Sequence, residues 1–312
     1  MRIRIAAAAL IVAAGQAMAQ MPADVAEKLK AIGPVLNPPM IQATFDIYIP
    51  RVVKAYPGVS STEDLAYGPD ERHRLDVFAP AARPGRAPVV LFVPGGAYVG
   101  GAKSREGVPF YQNVGVFFAR NGVVGVTMNY RLAPKAQWPA GGEDVAAALR
   151  WIRKNIADFG GDPERIFVFG QSAGGTHAAH YAFDERLQPA DGADGVMGAI
   201  LQSPILDPAG AAPAPYIEAY FGPRAGWGER SLLSKLDGRK IPVFLAYAEL
   251  DPKEFRDEAA KLRDGLCKRD GGACPRTADL KGHNHISEIA HLGVQDDTAF
   301  GIELLEFVRT GR

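Results

Sequence analysis

Arg165-Ile166-Phe167-Val168-Phe169-Gly170-Gln171-Ser172-Ala173-Gly174-Gly175-Thr176 holds the key to this chain. Arg165 to Phe169 has the apolar run of a short buried strand, and Thr176 to Phe183 continues in a helical pattern. Glycines at 170 and 174 let the backbone turn sharply between the two without a Cβ clash, which lifts the Ser172 hydroxyl above the strand ends. The serine also stands at a helix N-terminus, where free N–H groups and the helix dipole favour developing negative charge. Glycine-rich strand-to-helix turns also occur as plain structure; the buried strand before this one and the helix after it make Ser172 a candidate nucleophile.

A nucleophilic serine needs a place for the charge that develops on the carbonyl oxygen. Pro88 to Val93 is almost wholly apolar, as in a strand buried on both faces, and it runs into Val93-Pro94-Gly95-Gly96-Ala97. Gly95 and Gly96 offer two bare amides there, and Ala173 offers a third directly after the serine. Together they can form a three-donor oxyanion hole; the competing reading is a β-turn that uses Gly-Gly for positive φ.

Further out, apolar runs alternate with helical periodicity. His73 to Phe78, Val123 to Asn129, Met197 to Gln202 and Val243 to Tyr247 read as strands. Phe110 to Arg120, Glu143 to Ile156, Glu254 to Lys268 and Asp297 to Val308 read as helices, with Val145, Leu149 and Ile152 on one face of the second. Such alternation predicts right-handed crossovers and an α/β domain with a mostly parallel sheet over residues 61–312. Residues 20–60, rich in proline, read as an N-terminal arm that can cover the site. A stretch at about 207–238, with Tyr216, Tyr220, Phe221 and Trp227, reads as a small cap-like insertion whose aromatics shape a pocket or fill a local core.

The acid and base that activate such a serine should follow it in the order acid, then histidine, each at the carboxyl end of a strand. Asp251 comes just after the strand ending at Tyr247; Glu249 and Asp207 are the alternatives, and helix capping is the competing role for Asp251. Beyond it lie His283, His285 and His291. His285, in Gly282-His283-Asn284-His285-Ile286-Ser287, is the first choice and His283 the second. The closely spaced pair lacks an evident third metal ligand. His177 and His180, one turn apart behind Ser172, read as packed or exposed.

The 312 residues are 47% apolar, enough for one large core, and carry 35 basic and 35 acidic side chains. Residues 1–19 combine a basic start, an alanine-rich apolar run and Ala17-Met18-Ala19, the pattern of a signal peptide cleaved after Ala19. The run is about half the roughly 20 residues that a membrane span needs. Cleavage there removes Arg2 and Arg4 and no acid, leaving 33 basic against 35 acidic residues, which argues against nucleic acid as a partner. The expected product is periplasmic or secreted, and in that setting Cys267 and Cys274 predict a short-loop disulfide. Two lone cysteines cannot complete a zinc shell.

With these pieces in place, the chain resembles the hormone-sensitive-lipase-like esterases and neighbouring carboxylesterases of the α/β-hydrolase superfamily over roughly residues 70–310. Phe92-Val93-Pro94-Gly95-Gly96 matches the family's F-H-G-G-G, Asn129-Tyr130-Arg131-Leu132-Ala133-Pro134 its Y-R-L-A-P segment, Trp138-Pro139-Ala140 through Asp144 the stretch introducing the next helix, and Gly170 to Gly175 its G-x-S-A-G-G. The resemblance implies an α/β-hydrolase fold, with helices on both faces of the sheet and a small cap. It implies a serine carboxylesterase acting on small-molecule esters through an acyl-enzyme, with no cofactor and no metal. Gly95, Gly96 and Ala173 would be the oxyanion donors, and Arg131 and Asp144 structural supports. An amidase or arylformamidase with the same triad, and a non-catalytic binding protein on the same fold, are the alternatives. Val93, Pro94 and Gln171 depart from the family pattern, as does Gly-His-Asn-His-Ile-Ser at the histidine.

Overall fold

The computed structural model describes residues 21–52, 56–82, 85–187, 195–296 and 298–312. The expected signal segment and Asp297, the expected start of the last helix, lie outside the described residues. In chain order the elements are α1 (Ala23–Ile32), α2 (Pro38–Tyr48), β1 (Val59–Ala66), β2 (Arg74–Pro80), β3 (Ala87–Val93), α3 (Gln112–Arg120), β4 (Val124–Met128), α4 (Ala140–Asn155), β5 (Gly161–Gln171), α5 (Ala173–Phe183), β6 (Gly198–Gln202), α6 (Pro215–Phe221), β7 (Val243–Leu250), α7 (Lys253–Arg269), β8 (Arg276–Asn284), α8 (Ser287–Ala290) and α9 (Ala299–Thr310).

The eight strands form one sheet in the order β1-β2-β4-β3-β5-β6-β7-β8. The β1–β2 and β2–β4 pairs are antiparallel, and every other pair is parallel. The alternation of side chains along a strand divides the core in two. Val89, Leu91 and Val93 of β3 pack with Val145, Leu149 and Ile152 of α4, Ala178 and Ala182 of α5 and Leu262 of α7. Val90 and Phe92 face the other way, against Phe118 of α3, Leu304 and Phe307 of α9 and Leu29 of α1. Both faces of β3 are covered, so its sequence is apolar throughout.

The arm forms α1 and α2. Asn37 caps α2 by accepting the Met40 amide at 2.9 Å, and prolines at its first two positions suit a helix start. In 207–238, Tyr220, Phe221 and Trp227 are buried in a local core with Tyr98, Ile205 and Ile217, while Tyr216 packs on its edge. Cys267 and Cys274 form a disulfide at the end of α7, with Cα atoms 4.2 Å apart.

Strand β1 has no counterpart in the sequence reading, and it begins at Val59, ahead of the expected boundary at 61. Its residues Val-Ser-Ser-Thr-Glu-Asp-Leu-Ala lie on the sheet edge with neither face fully buried, so no apolar alternation marks it. Its register with β2 shifts between Thr62 and Leu65, and there the Asp64 amide donates to the buried Asp76 carboxylate at 2.8 Å.

Between β5 and α5 stands one residue, Ser172, with φ 55° and ψ −125°. The turn is tight enough that a Cβ on Gly170 would meet the Gly174 carbonyl oxygen, and one on Gly174 would meet that of Val93. Both obstacles are backbone and cannot swing away. Gly174→Ala should therefore lower unfolding stability by about 1–3 kcal/mol, the usual cost of overpacking. Urea unfolding of the two proteins measures this, and equal midpoints would contradict it.

Candidate active site

Three chain segments deliver three side chains to one place at the carboxyl ends of the parallel strands. Ser172 Oγ lies 2.9 Å from His285 Nε2, and His285 Nδ1 lies 2.7 Å from Asp251 Oδ1. With Asp251 ionised, its carboxylate accepts the Nδ1 proton, which leaves Nε2 as the acceptor for the serine hydroxyl. Asp251 sits directly after β7, where the Ala248 amide donates to its Oδ2 at 2.9 Å. His285 sits between β8 and α8. Asn284 fixes that turn: its Oδ1 accepts the amides of Ile286 and Ser287 at 3.1 and 2.9 Å, and its Nδ2 donates to Thr44 of α2 at 2.9 Å. The arm thereby braces the residue beside the imidazole.

The other candidates stand elsewhere. His283 faces Ser287 Oγ at 3.1 Å, and His291 Nδ1 lies 2.9 Å from the Ser287 carbonyl. Glu249 accepts the Gly282 amide at 2.9 Å, and Asp207 lies 3.9 Å from Lys261. His177 and His180 are buried; burial pushes His177 down to about 3, so its ring is neutral. It packs among the rings of Tyr98, Tyr130 and Tyr220. Asp144 is buried where it accepts the Arg131 amide at 2.7 Å and Arg131 Nε at 2.8 Å, with His73 Nε2 at 3.1 Å, tying the loop after β4 to the start of α4.

A pocket of about 920 Å³ opens over Ser172. Gly96, Ala97 and Ala173 line it beside the serine, and Gly95 stands behind them, pressed against Gln171 and Ser172. Among the described residues the amides of Gly95, Gly96 and Ala173 donate to no protein group, as donors reserved for an anion would. Ala173 is the first residue of α5, so its amide adds the helix end's positive potential. Leu36, Ile41 and Phe45 from the arm, Tyr216 from the insertion and Phe255 from α7 give the pocket an apolar wall, while Arg105, Lys253, Glu254 and Arg256 add charged groups to its lining.

A second carboxylate that sequence reasoning missed lies behind the imidazole. Glu288 of α8 is fully buried, with Oε1 at 2.9 Å from Gln171 Nε2 and Oε2 at 2.8 Å from Ser203 Oγ. Ser203 Oγ also stands 2.6 Å from Asp251 Oδ2, and Gln171 Nε2 reaches the His285 carbonyl at 3.0 Å. Burial, and then the charge of Asp251, hold the Glu288 carboxyl well above the ordinary carboxylate range, while the bonds from Gln171 and Ser203 pull the other way. Nothing in the sequence marks it, because His285 lies ahead of the short helix Ser287–Ala290 that carries Glu288.

Asp251, His285 and Glu288 bring three potential metal ligands together. Two donors on one tetrahedral zinc, each about 2.1 Å away, stand about 3.4 Å apart. The 2.7 Å between Asp251 Oδ1 and His285 Nδ1 is a hydrogen bond and leaves no such gap.

Residues 75–197 match the BD-FAE family model. The esterase LipQ of Mycobacterium tuberculosis is 32% identical over 78% of this chain and 61% of its own length. The isoprenylcysteine alpha-carbonyl methylesterase ICME of Arabidopsis thaliana is 26% identical over 69% of this chain and 44% of its own. These curated relatives are thus considerably longer than the part this chain spans. Among solved structures, a hyperthermophilic esterase from Pyrobaculum calidifontis superposes with a TM-score of 0.71 at 21% identity, covering 94% of this chain and 99% of that one. Esterase B of Lactobacillus rhamnosis, inhibited by a tributyrin phosphonate, gives 0.70 at 18% identity, covering 92% and 94%. The expected fold is the observed one: the chain has the α/β-hydrolase fold, and it is similar to hormone-sensitive-lipase-like esterases and carboxylesterases.

Proposed function

We propose that this protein is a serine carboxylesterase that cleaves small-molecule carboxylic esters through an acyl-enzyme. One observation carries the reading: the unbroken hydrogen-bonded line Ser172 Oγ, His285 Nε2, His285 Nδ1, Asp251 Oδ1, at 2.9 and 2.7 Å. The names of the relatives, esterases and methylesterases, favour ester over amide.

In the first half-reaction, Ser172 Oγ bonds to the ester carbonyl carbon while its proton passes to His285 Nε2. The carbonyl electron pair moves to oxygen, where the amides of Gly95, Gly96 and Ala173 receive it; one such donor is typically worth about 10²–10³ in turnover. Asp251 stabilises the imidazolium. The tetrahedral species collapses by breaking the bond to the alkoxy oxygen, which takes the proton from Nε2 and departs as alcohol. Water then gives its proton to the same nitrogen, attacks the acyl carbon and releases the acid, restoring Ser172. Every step is served by protein groups.

The apolar wall formed by the arm, Tyr216 and Phe255 suits a short to medium acyl chain. The proposal includes export to the periplasm or medium, supported by the pattern of residues 1–19 and by the Cys267–Cys274 disulfide.

Ser172→Ala should reduce kcat on p-nitrophenyl butyrate by at least about 10⁴-fold while the thermal melt stays close to that of the parent; retained turnover would remove the serine from the mechanism. Across p-nitrophenyl esters from acetate to palmitate, kcat/KM should peak at the short to medium chains, and a maximum at palmitate would contradict the pocket assignment. On a matched ester and anilide the ester should be faster; the reverse order would indicate an amidase.

A further inference from the structure

The two carboxyls beside His285 share one hydroxyl hydrogen. Ser203 Oγ approaches Asp251 Oδ2 at 2.6 Å and Glu288 Oε2 at 2.8 Å, and a serine hydroxyl can donate only once. Were both acids ionised, one of these contacts would press two electron-rich oxygens together with no proton between them. One acid must therefore carry a proton. Asp251 is supplied with donors on both oxygens, from His285 Nδ1 at 2.7 Å and the Ala248 amide at 2.9 Å. Glu288 takes Gln171 Nε2 on Oε1 and shares the Ala248 amide with Asp251, but unlike Asp251 it accepts no hydrogen bond from the imidazole. The proton belongs on Glu288 Oε2, pointing at Ser203.

The surroundings agree. The titratable groups facing Glu288 are Asp251 after β7, His285 before α8, and Tyr111 at the start of α3. Among the described residues, neither Asp251 nor Glu288 forms an ion pair with lysine or arginine. Two negative charges in this closed space would face each other with no lysine or arginine paired to either, which desolvation and mutual repulsion oppose.

Resting on the triad reading above, we propose that Glu288 is a positioning residue: it stays protonated at working pH, donates to Ser203, and so turns the Ser203 hydrogen onto Asp251. The relay runs Glu288 Oε2–H to Ser203 Oγ, then Ser203 Oγ–H to Asp251 Oδ2. Asp251 then accepts three hydrogen bonds, which fix the plane of its carboxylate and hence the aim of the imidazole. No proton is transferred along the relay during turnover. When His285 is protonated it faces a single negative charge, and the buried cluster becomes neutral.

Infrared difference spectroscopy of the whole protein against Glu288→Gln at pH 7 reads the protonation state without reference to activity. The C=O stretch of a protonated carboxylic acid should be present in the parent and lost in the variant; carboxylate bands in its place would overturn the proposal, whatever the enzyme hydrolyses. Kinetics test the role. Glu288→Ala strands Ser203 and Gln171 and should cut kcat about 10- to 100-fold with KM within about twofold. Glu288→Gln, an isostere of the protonated acid, should recover most of that loss and keep the acid limb of the pH profile where it was. A Gln variant as slow as Ala, or an acid limb moved to lower pH by about a unit, would show that the negative charge had mattered and would also overturn it. If Glu288→Ala does not fold, Ser203→Ala interrupts the same relay and should lower kcat about tenfold at unchanged KM; undiminished kcat in a folded Ser203→Ala protein would count against the relay.

Discussion

At Ser172 the chain passes from a parallel strand to a helix within a single residue, with φ at 55°, and the rest of the site is arranged around that bend. A non-glycine residue in this region carries strain that the surrounding structure must hold in place. Here the hold is steric and hydrogen-bonded at once. The backbones of Gly170, Gly174 and Val93 close on one another, and the Ser172 amide donates to the Gln202 carbonyl at 2.8 Å. Holding the bend sets the hydroxyl above the sheet and points the first amides of α5 at the same space. Strand order does the rest. Because β6, β7 and β8 follow β5 across the sheet in parallel, the ends of β7 and β8 bring Asp251 and His285 alongside Ser172.

Behind the imidazole the structure is polar and closed. Gln171 ends β5, Ser203 follows β6, Asp251 follows β7 and Glu288 belongs to α8, so one hydrogen-bonded network joins the ends of three neighbouring strands to the helix after the histidine. Buried polar groups are stabilising only when each finds a partner. The network therefore restricts where the imidazole can lie, while the pocket in front leaves room for a substrate. The arm joins the two sides: Thr44 holds Asn284 next to the histidine, and Leu36, Ile41 and Phe45 form pocket wall.

The parts legible in the sequence are those in which one physical requirement dominates. Strand β3 is apolar throughout because it is covered on both faces, and Gly170 and Gly174 are glycine because backbone atoms occupy the place of a Cβ. Order along the chain singled out Asp251 and His285, and the fold brings their side chains to Ser172. Between His283 and His285, two residues apart on β8 and the turn after it, the sequence could only rank; the bend at Asn284 sends the second ring toward the serine and the first toward Ser287. Strand β1 was illegible because an exposed edge demands no apolar alternation. Glu288 and Ser203 were illegible because a glutamate in a short helix and a serine after a strand ordinarily face water. Only the three-dimensional meeting of Asp251, Ser203 and Glu288 gives either of them a part.

The claim beneath all of this is that the hydroxyl at the bend is made nucleophilic by the imidazole beside it. Reaction with a fluorophosphonate, followed by peptide mapping by mass spectrometry in the parent and in His285→Ala, measures that directly. The account predicts a single adduct on Ser172 that forms rapidly in the parent and is all but lost in His285→Ala. An adduct on another residue, or labelling of Ser172 at the same rate without the imidazole, would contradict it.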